Sequence, residues 1–164
     1  MRLAALTTFA TALAVAAPAL GGPPPAGVLV PGRSLGGLEL GATKAQVERR
    51  WGRAYGLCPR CAPETWYFNL YAFQPRGAAV EFGDGRVTAI FTVYQPLGWR
   101  TREGFGLGDR ITSVPREYGP LRRVECSGYH ALVLSRRGST TAFYSLGGRL
   151  WAFALQRPDV AVCR

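Results

Sequence analysis

Val47 and Trp51 stand four residues apart, with the polar Glu48, Arg49 and Arg50 between them. That is the spacing of one buried helical face and one wet one. Thr43 precedes them and Gln46 follows three positions on, the arrangement of a capping box. Gly52 closes the segment where a left-handed residue is wanted. The pattern then changes. Thr65-Trp66-Tyr67-Phe68-Asn69-Leu70-Tyr71-Ala72-Phe73 is aromatic and β-branched, and predicts a strand with Trp66, Phe68 and Leu70 on one face and Tyr67, Asn69 and Tyr71 on the other. Ala78 to Phe82 predicts a second strand and Val87 to Tyr94 a third, joined through the turn Gly83-Asp84-Gly85.

This order of elements returns. Leu40-Gly41 to Trp51-Gly52 is echoed by Leu107-Gly108 to Tyr118-Gly119, a shift of 67 (108 − 41, 119 − 52). Gly85-Arg86-Val87 is echoed by Gly148-Arg149-Leu150, a shift of 63 (148 − 85). Pro115 occupies the second helical segment, so that helix should start later and be shorter, because proline is tolerated only in the first turn. Tyr129 to Leu134, Thr140 to Leu146 and Arg149 to Leu155 are its strands, with Gly147-Gly148 as the last hairpin turn. A period this long, present twice, points to a tandem pair and not a solenoid. The expected fold class is α+β: two tandem units, pseudo-twofold related, each a short helical segment packed on a three- to four-stranded antiparallel sheet. The units are expected at 34–95 and 104–164, with a linker at 96–103 and a flexible, Gly- and Pro-rich lead-in at 20–33.

The first 19 residues read as a secretory signal peptide. Arg2 gives a positive start, Leu3 to Ala17 is apolar apart from threonines, and Ala17-Pro18-Ala19 is a small-residue cleavage pattern. The apolar run is too short and too alanine-rich for a comfortable membrane span. No later segment is long enough to span, so a secreted, extracytoplasmic protein without a membrane span is expected. The net charge is +10, carried almost wholly by arginine. Such a balance favours anionic partners, including wall polymers. The arginines are scattered, with Arg49-Arg50, Arg122-Arg123 and Arg136-Arg137 as the densest points, which does not suggest a nucleic-acid-binding arm.

Cys58, Cys61, Cys126 and Cys163 form an even set, which in a secreted chain implies disulfides. Three pairings are possible; Cys58–Cys61 with Cys126–Cys163 is favoured, a local turn and a long tether. The same Cys58-Pro59-Arg60-Cys61 spacing is open to a thiol–disulfide oxidoreductase reading. A four-cysteine zinc site would want a second close pair.

Leu40-Gly41-Ala42-Thr43-Lys44-Ala45-Gln46-Val47, then Trp51-Gly52, then Thr65-Trp66-Tyr67, resembles the SmpA/OmlA outer-membrane assembly lipoproteins. Two such units in a chain of this length look like the β-lactamase-inhibitory protein architecture. The resemblance implies two αβ units with their sheets side by side and a concave, aromatic-rich face turned to a partner protein. The chain departs from the lipoproteins in lacking a cysteine after the apolar run.

No catalytic constellation stands out. His130 is the only histidine, without a nucleophile motif beside it; Glu81, Glu103, Glu117 and Glu125 have ordinary solvated or capping readings. No phosphate loop, metal-ligand cluster or cofactor motif is apparent. A non-catalytic binding or envelope-scaffold protein is therefore expected, engaging an extracellular or envelope protein through an exposed sheet face. The candidate partner-binding residues are Tyr67, Asn69, Tyr71, Thr88, Trp151 and Phe153, since large stiff side chains on an open sheet face mark an interaction surface.

Overall fold

The structure is a computed structural model that describes residues 26–71 and 74–164, with the side chains of 69–76 outside that description. The expected signal peptide also lies outside the described residues. In chain order the elements are β1 (Val28–Val30), β2 (Ser34–Leu35), α1 (Lys44–Trp51), β3 (Gly56–Leu57), β4 (Glu64–Tyr71), β5 (Gln74–Gly83) and β6 (Arg86–Val93). Then follow β7 (Arg100–Thr101), α2 (Ser113–Tyr118), β8 (Arg122–Glu125), β9 (His130–Arg136), β10 (Ser139–Leu146) and β11 (Arg149–Gln156).

Both helices have the expected local signals. Thr43 Oγ1 accepts from the Gln46 amide at 3.3 Å, and Gln46 Oε1 accepts from the Thr43 amide at 2.7 Å. Gly52 ends α1 at φ +84°, its N–H donating to the Glu48 carbonyl at 2.8 Å. α2 runs only 6 residues, with Pro115 in its first turn.

The expected α+β class is overturned. Strands β3 to β6 and β8 to β11 form one eight-stranded antiparallel sheet in the order β3-β4-β5-β6-β11-β10-β9-β8, and β2-β1-β7 makes a second, three-stranded one. Among the described residues the chain is mostly β, and the two helices there, 8 and 6 residues long, are too short to form a layer of their own. What fuses the strands is the pairing of β6 with β11, through Ala89↔Gln156, Ile90↔Leu155 and Phe91↔Ala154. Such non-local pairing leaves no trace in hydrophobic periodicity, which reports only local structure.

Residues 26–33 and 96–103 are also built into the fold. β1 pairs antiparallel with β2 and parallel with β7, and Leu29, Leu35 and Trp99 are buried. Their glycines shape turns within a packed element, so high turn content did not mean a free linker. At Gly36 (φ +58°) an added Cβ would lie 2.8 Å from the Trp51 ring, whose Nε1 donates to the Gly36 carbonyl at 2.9 Å. Only glycine allows that approach.

The core sits between the small sheet, the helices and one face of the large sheet. Val47, Trp51 and Val114 from the helices and Leu29 and Leu35 from the small sheet pack with Phe68, Val80, Ile90, Phe143, Phe153 and Leu155. Trp51 meets Phe68 edge-on at 5.1 Å and Trp99 at 6.1 Å.

Two matching sets of contacts accompany the sequence echo. The Gly41 amide donates to the Val87 carbonyl and Arg86 Nη1 to the Gly41 carbonyl. The Gly108 amide donates to the Leu150 carbonyl and Arg149 Nη1 to the Gly108 carbonyl. Just beyond each, a β-bulge leaves one residue unpaired: Thr88 in β6 and Trp151 in β11, again 63 apart (151 − 88).

Candidate binding surface

The second face of the large sheet is built from small residues. Ala131, Ala142, Ala152 and Ala154 are buried there with Val133 and Tyr144, and Phe91, Val124, Tyr129 and Trp151 pack around them. Alanines in the middle of a twisted sheet leave a hollow that larger side chains would fill. The chain's own last residues cross that hollow.

This strap, residues 157–164, is held at several points. Gln156, fully buried, donates from Nε2 to the carbonyls of Val160 at 2.7 Å and Ala161 at 3.1 Å. Tyr144 Oη donates to the Val162 carbonyl at 2.6 Å. Cys163 is bonded to Cys126, the favoured long tether, and Cys58 to Cys61. Arg164 ends the strap. Its guanidinium lies 4.1 Å over the Phe91 ring, pairs with Glu81, and donates from Nη2 to Gln156 Oε1 at 3.0 Å. Its main-chain N–H donates to Tyr129 Oη at 2.8 Å, and Tyr129 Oη donates to its carbonyl at 2.7 Å.

On each side of Arg164 the hollow stays open. One groove is lined by Phe91, Thr92, Val93, Tyr94, Tyr129, Tyr144, Trp151, Ala152 and Arg164. It opens where β6 and β11 part: their pairing stops at Phe91↔Ala154, and the Phe153 amide donates to Thr92 Oγ1 at 2.9 Å instead of continuing the ladder. The other groove is lined by Pro63, Tyr67, Glu81, Phe91, Asp159, Val160, Ala161, Cys163 and Arg164. Trp151 meets Tyr129 at 5.6 Å and Tyr94 edge-on at 6.1 Å. Burial pushes the Tyr144 phenol up to about 12. Tyr67 is also raised, first by burial and then by the Glu81 carboxylate. Both phenols therefore stay neutral hydrogen-bonding groups at ordinary pH.

The six candidate residues scatter. Tyr67 and Trp151 line the two grooves, on opposite sides of Arg164. Asn69 and Tyr71 lie on β4, but their side chains lie outside the described residues. Thr88 is buried and donates its hydroxyl to the Glu81 carbonyl at 3.3 Å. Phe153 is fully buried in the helix-side core and cannot touch a partner. Simple alternation along Arg149 to Leu155 would place Trp151, Phe153 and Leu155 on one face. The bulge at Trp151 breaks that alternation, so Trp151 faces the grooves while Phe153 and Leu155 face the core.

Three rings of the surface (Phe91, Tyr129 and Tyr144) escaped the sequence reading, as did the strap residue Arg164. A signal for Arg164 was present, because a Cys126–Cys163 bond fixes the position of its neighbour. Glu81, read as solvated or capping, has a side chain only 12% exposed and an arginine partner.

The remaining candidates lie elsewhere. Cys58 and Cys61 bracket a turn between β3 and β4 and are bonded to each other. The three arginine pairs sit on separate elements, α1, β8 and the β9–β10 turn. Among the described residues no group of three or more His, Cys, Asp or Glu could hold a metal ion, and no helix is long and apolar enough to cross a membrane.

No protein-family model matches the chain, and no curated protein matches it. An extracellular protein containing a SCP domain, from Bacillus anthracis str. Ames, superposes with a TM-score of 0.51 at 9% sequence identity over 73% of this chain. This chain spans 44% of that longer one, and at this identity the likeness is one of fold alone. A DUF4309 family protein from Bacillus subtilis subsp. subtilis str. 168 gives a TM-score of 0.48 at 14% identity, covering 71% of this chain and 78% of that one. Neither bears the description of an SmpA/OmlA or β-lactamase-inhibitory protein.

Proposed function

We propose that this chain is a secreted, extracytoplasmic binding protein without catalysis, engaging an envelope or extracellular protein through the aromatic face beside the C-terminal strap. The observation that carries the reading is the groove in which Trp151, Tyr129 and Tyr94 present rings to solvent where two strands part. Such rings are stiff and amphipathic, and lose little conformational entropy when a partner covers them. The two disulfides support an oxidising compartment. The matching contacts at Gly41 and Gly108 support the tandem-repeat reading, and with it the resemblance to SmpA/OmlA-type units.

Affinity capture from the producing cell's envelope and medium tests the proposal, with native protein compared against Tyr67→Ala/Trp151→Ala. The expected outcome is a protein retained by the native chain through a moderate-salt wash and lost by the variant, with both chains folded. Equal retention of wall polymer alone, released by salt, would replace this reading with electrostatic docking through the surface arginines.

A further inference from the structure

Arg164 is held as a ligand is held. Its guanidinium is stacked on one aromatic ring, paired with the carboxylate of Glu81 and bonded to the amide of a fully buried Gln156, and its side chain is only 19% exposed. Stacking, a carboxylate and an amide acceptor are together the chemistry that selects a guanidinium over other cations. The position also matters. Arg164 is lined up with both open grooves and stands between them. It reaches this place through the main chain of a strap. We propose that the Phe91–Glu81–Gln156 pocket is a guanidinium-binding site, filled here by the chain's own Arg164, and that a partner polypeptide docks along the two grooves by placing an arginine there instead.

The occupant follows from charge and shape. With Arg164 swung out, Glu81 is a part-buried carboxylate without its partner, and leaving it so is costly. An incoming arginine restores the pairing, whereas an apolar or acidic side chain does not. The flanking grooves, walled by Trp151 and Tyr67, would take the neighbouring residues of an extended chain. The proposal rests on the reading of this face as the binding face, and names the partner's chemistry there. It makes the native chain self-competing: Arg164 lies next to Cys163, so its effective concentration at the pocket is high and a free ligand must displace it.

The test uses the full chain with both disulfides intact. The probes are the peptide acetyl-Ala-Val-Arg-Val-Ala-amide and its citrulline counterpart, which keeps the shape and removes the charge. Calorimetric titration of Arg164→Gln should show the arginine peptide binding about tenfold or more tighter than the citrulline peptide, a modest margin for a charge-assisted, stacked contact. The native chain should bind the arginine peptide more weakly than Arg164→Gln does. Adding Glu81→Gln to Arg164→Gln should abolish the preference. A lack of arginine preference, including binding of neither peptide, overturns the site, as does native protein binding as tightly as Arg164→Gln. If capture through Tyr67 and Trp151 succeeds while arginine preference is absent, the binding face stands and the guanidinium site falls. If the preference appears but capture fails, the pocket stands and the protein-partner reading falls.

Discussion

The two faces of the large sheet are built on opposite rules. The helix-side face is filled by Phe68, Ile90, Phe143, Phe153 and Leu155, interlocked with Trp51 and Trp99. The opposite face is lined at its centre by alanines and closed only in part, by a strap and a ring of tyrosines. Large apolar side chains in contact yield packing density and leave no hollow. Small ones leave volume, which here is shared between the strap and two grooves. One face therefore specifies the fold, and the other is free to carry recognition.

Neighbouring residues on β11 give the sharpest way to break that contrast. Phe153→Ala empties a fully buried position and should cost about 3–5 kcal/mol in denaturant unfolding. Trp151→Ala, two residues away on the half-buried face, should cost about 1 kcal/mol and should act on partner binding instead. Equal destabilisation by the two would mean that the grooved face is core as well.

The strap comes next. Cys126→Ser/Cys163→Ser opens a loop of sequence separation 37 and should cost about 3–4 kcal/mol on the chain-entropy account. Amide exchange should then rise in residues 157–164 well before it rises at Phe143 or Ile90. If exchange rises uniformly, the strap is part of the cooperative core.

The last contrast is a titration. Tyr144 is raised from the ordinary phenol value to about 12 by burial, so the folded state holds this proton more tightly than the unfolded chain does. Its contribution is complete below about pH 10 and is lost as the pH rises through about 12, amounting to roughly 2 kcal/mol. Tyr118, on the helix side, is raised too, by burial and then by its hydrogen bond to Glu103, and acts in the same direction. Thermal melts across this range should show falling stability, and Tyr144→Phe should blunt the fall. An unchanged slope in that variant would place the alkaline loss on the helix-side face.

Several elements were legible from neighbouring residues alone. Thr43 and Gln46 announced a capping box that forms as expected, and Pro115 a short second helix. The six long strands were found, with the hairpin turns at Gly83-Asp84-Gly85 and Gly147-Gly148, because period-2 alternation and glycine turns are local signals. The favoured cysteine pairing forms, although number and spacing alone left three open. The binding surface was harder. Tyr67 and Trp151 were found as large residues in strands, but Phe153 was drawn in with Trp151 because the bulge beside it cannot be seen in a pattern of alternation. Phe91 and Tyr144 were missed because their faces are decided by pairing register.

Taken alone, then, the sequence determined the local pieces: the α1 cap, strand positions, glycine turns and the echo of Gly41 at Gly108. Each depends on residues a few positions apart, or on simple repetition. Only the tertiary structure decided that β6 joins β11, turning two sets of strands into one sheet, and that Leu29, Leu35 and Trp99 are part of the core. It alone brought Arg164 to Glu81, 83 residues away, beneath a strap crossing a bed of alanines. Those outcomes depend on how surfaces made by distant segments fit together, and no short-range pattern encodes that fit.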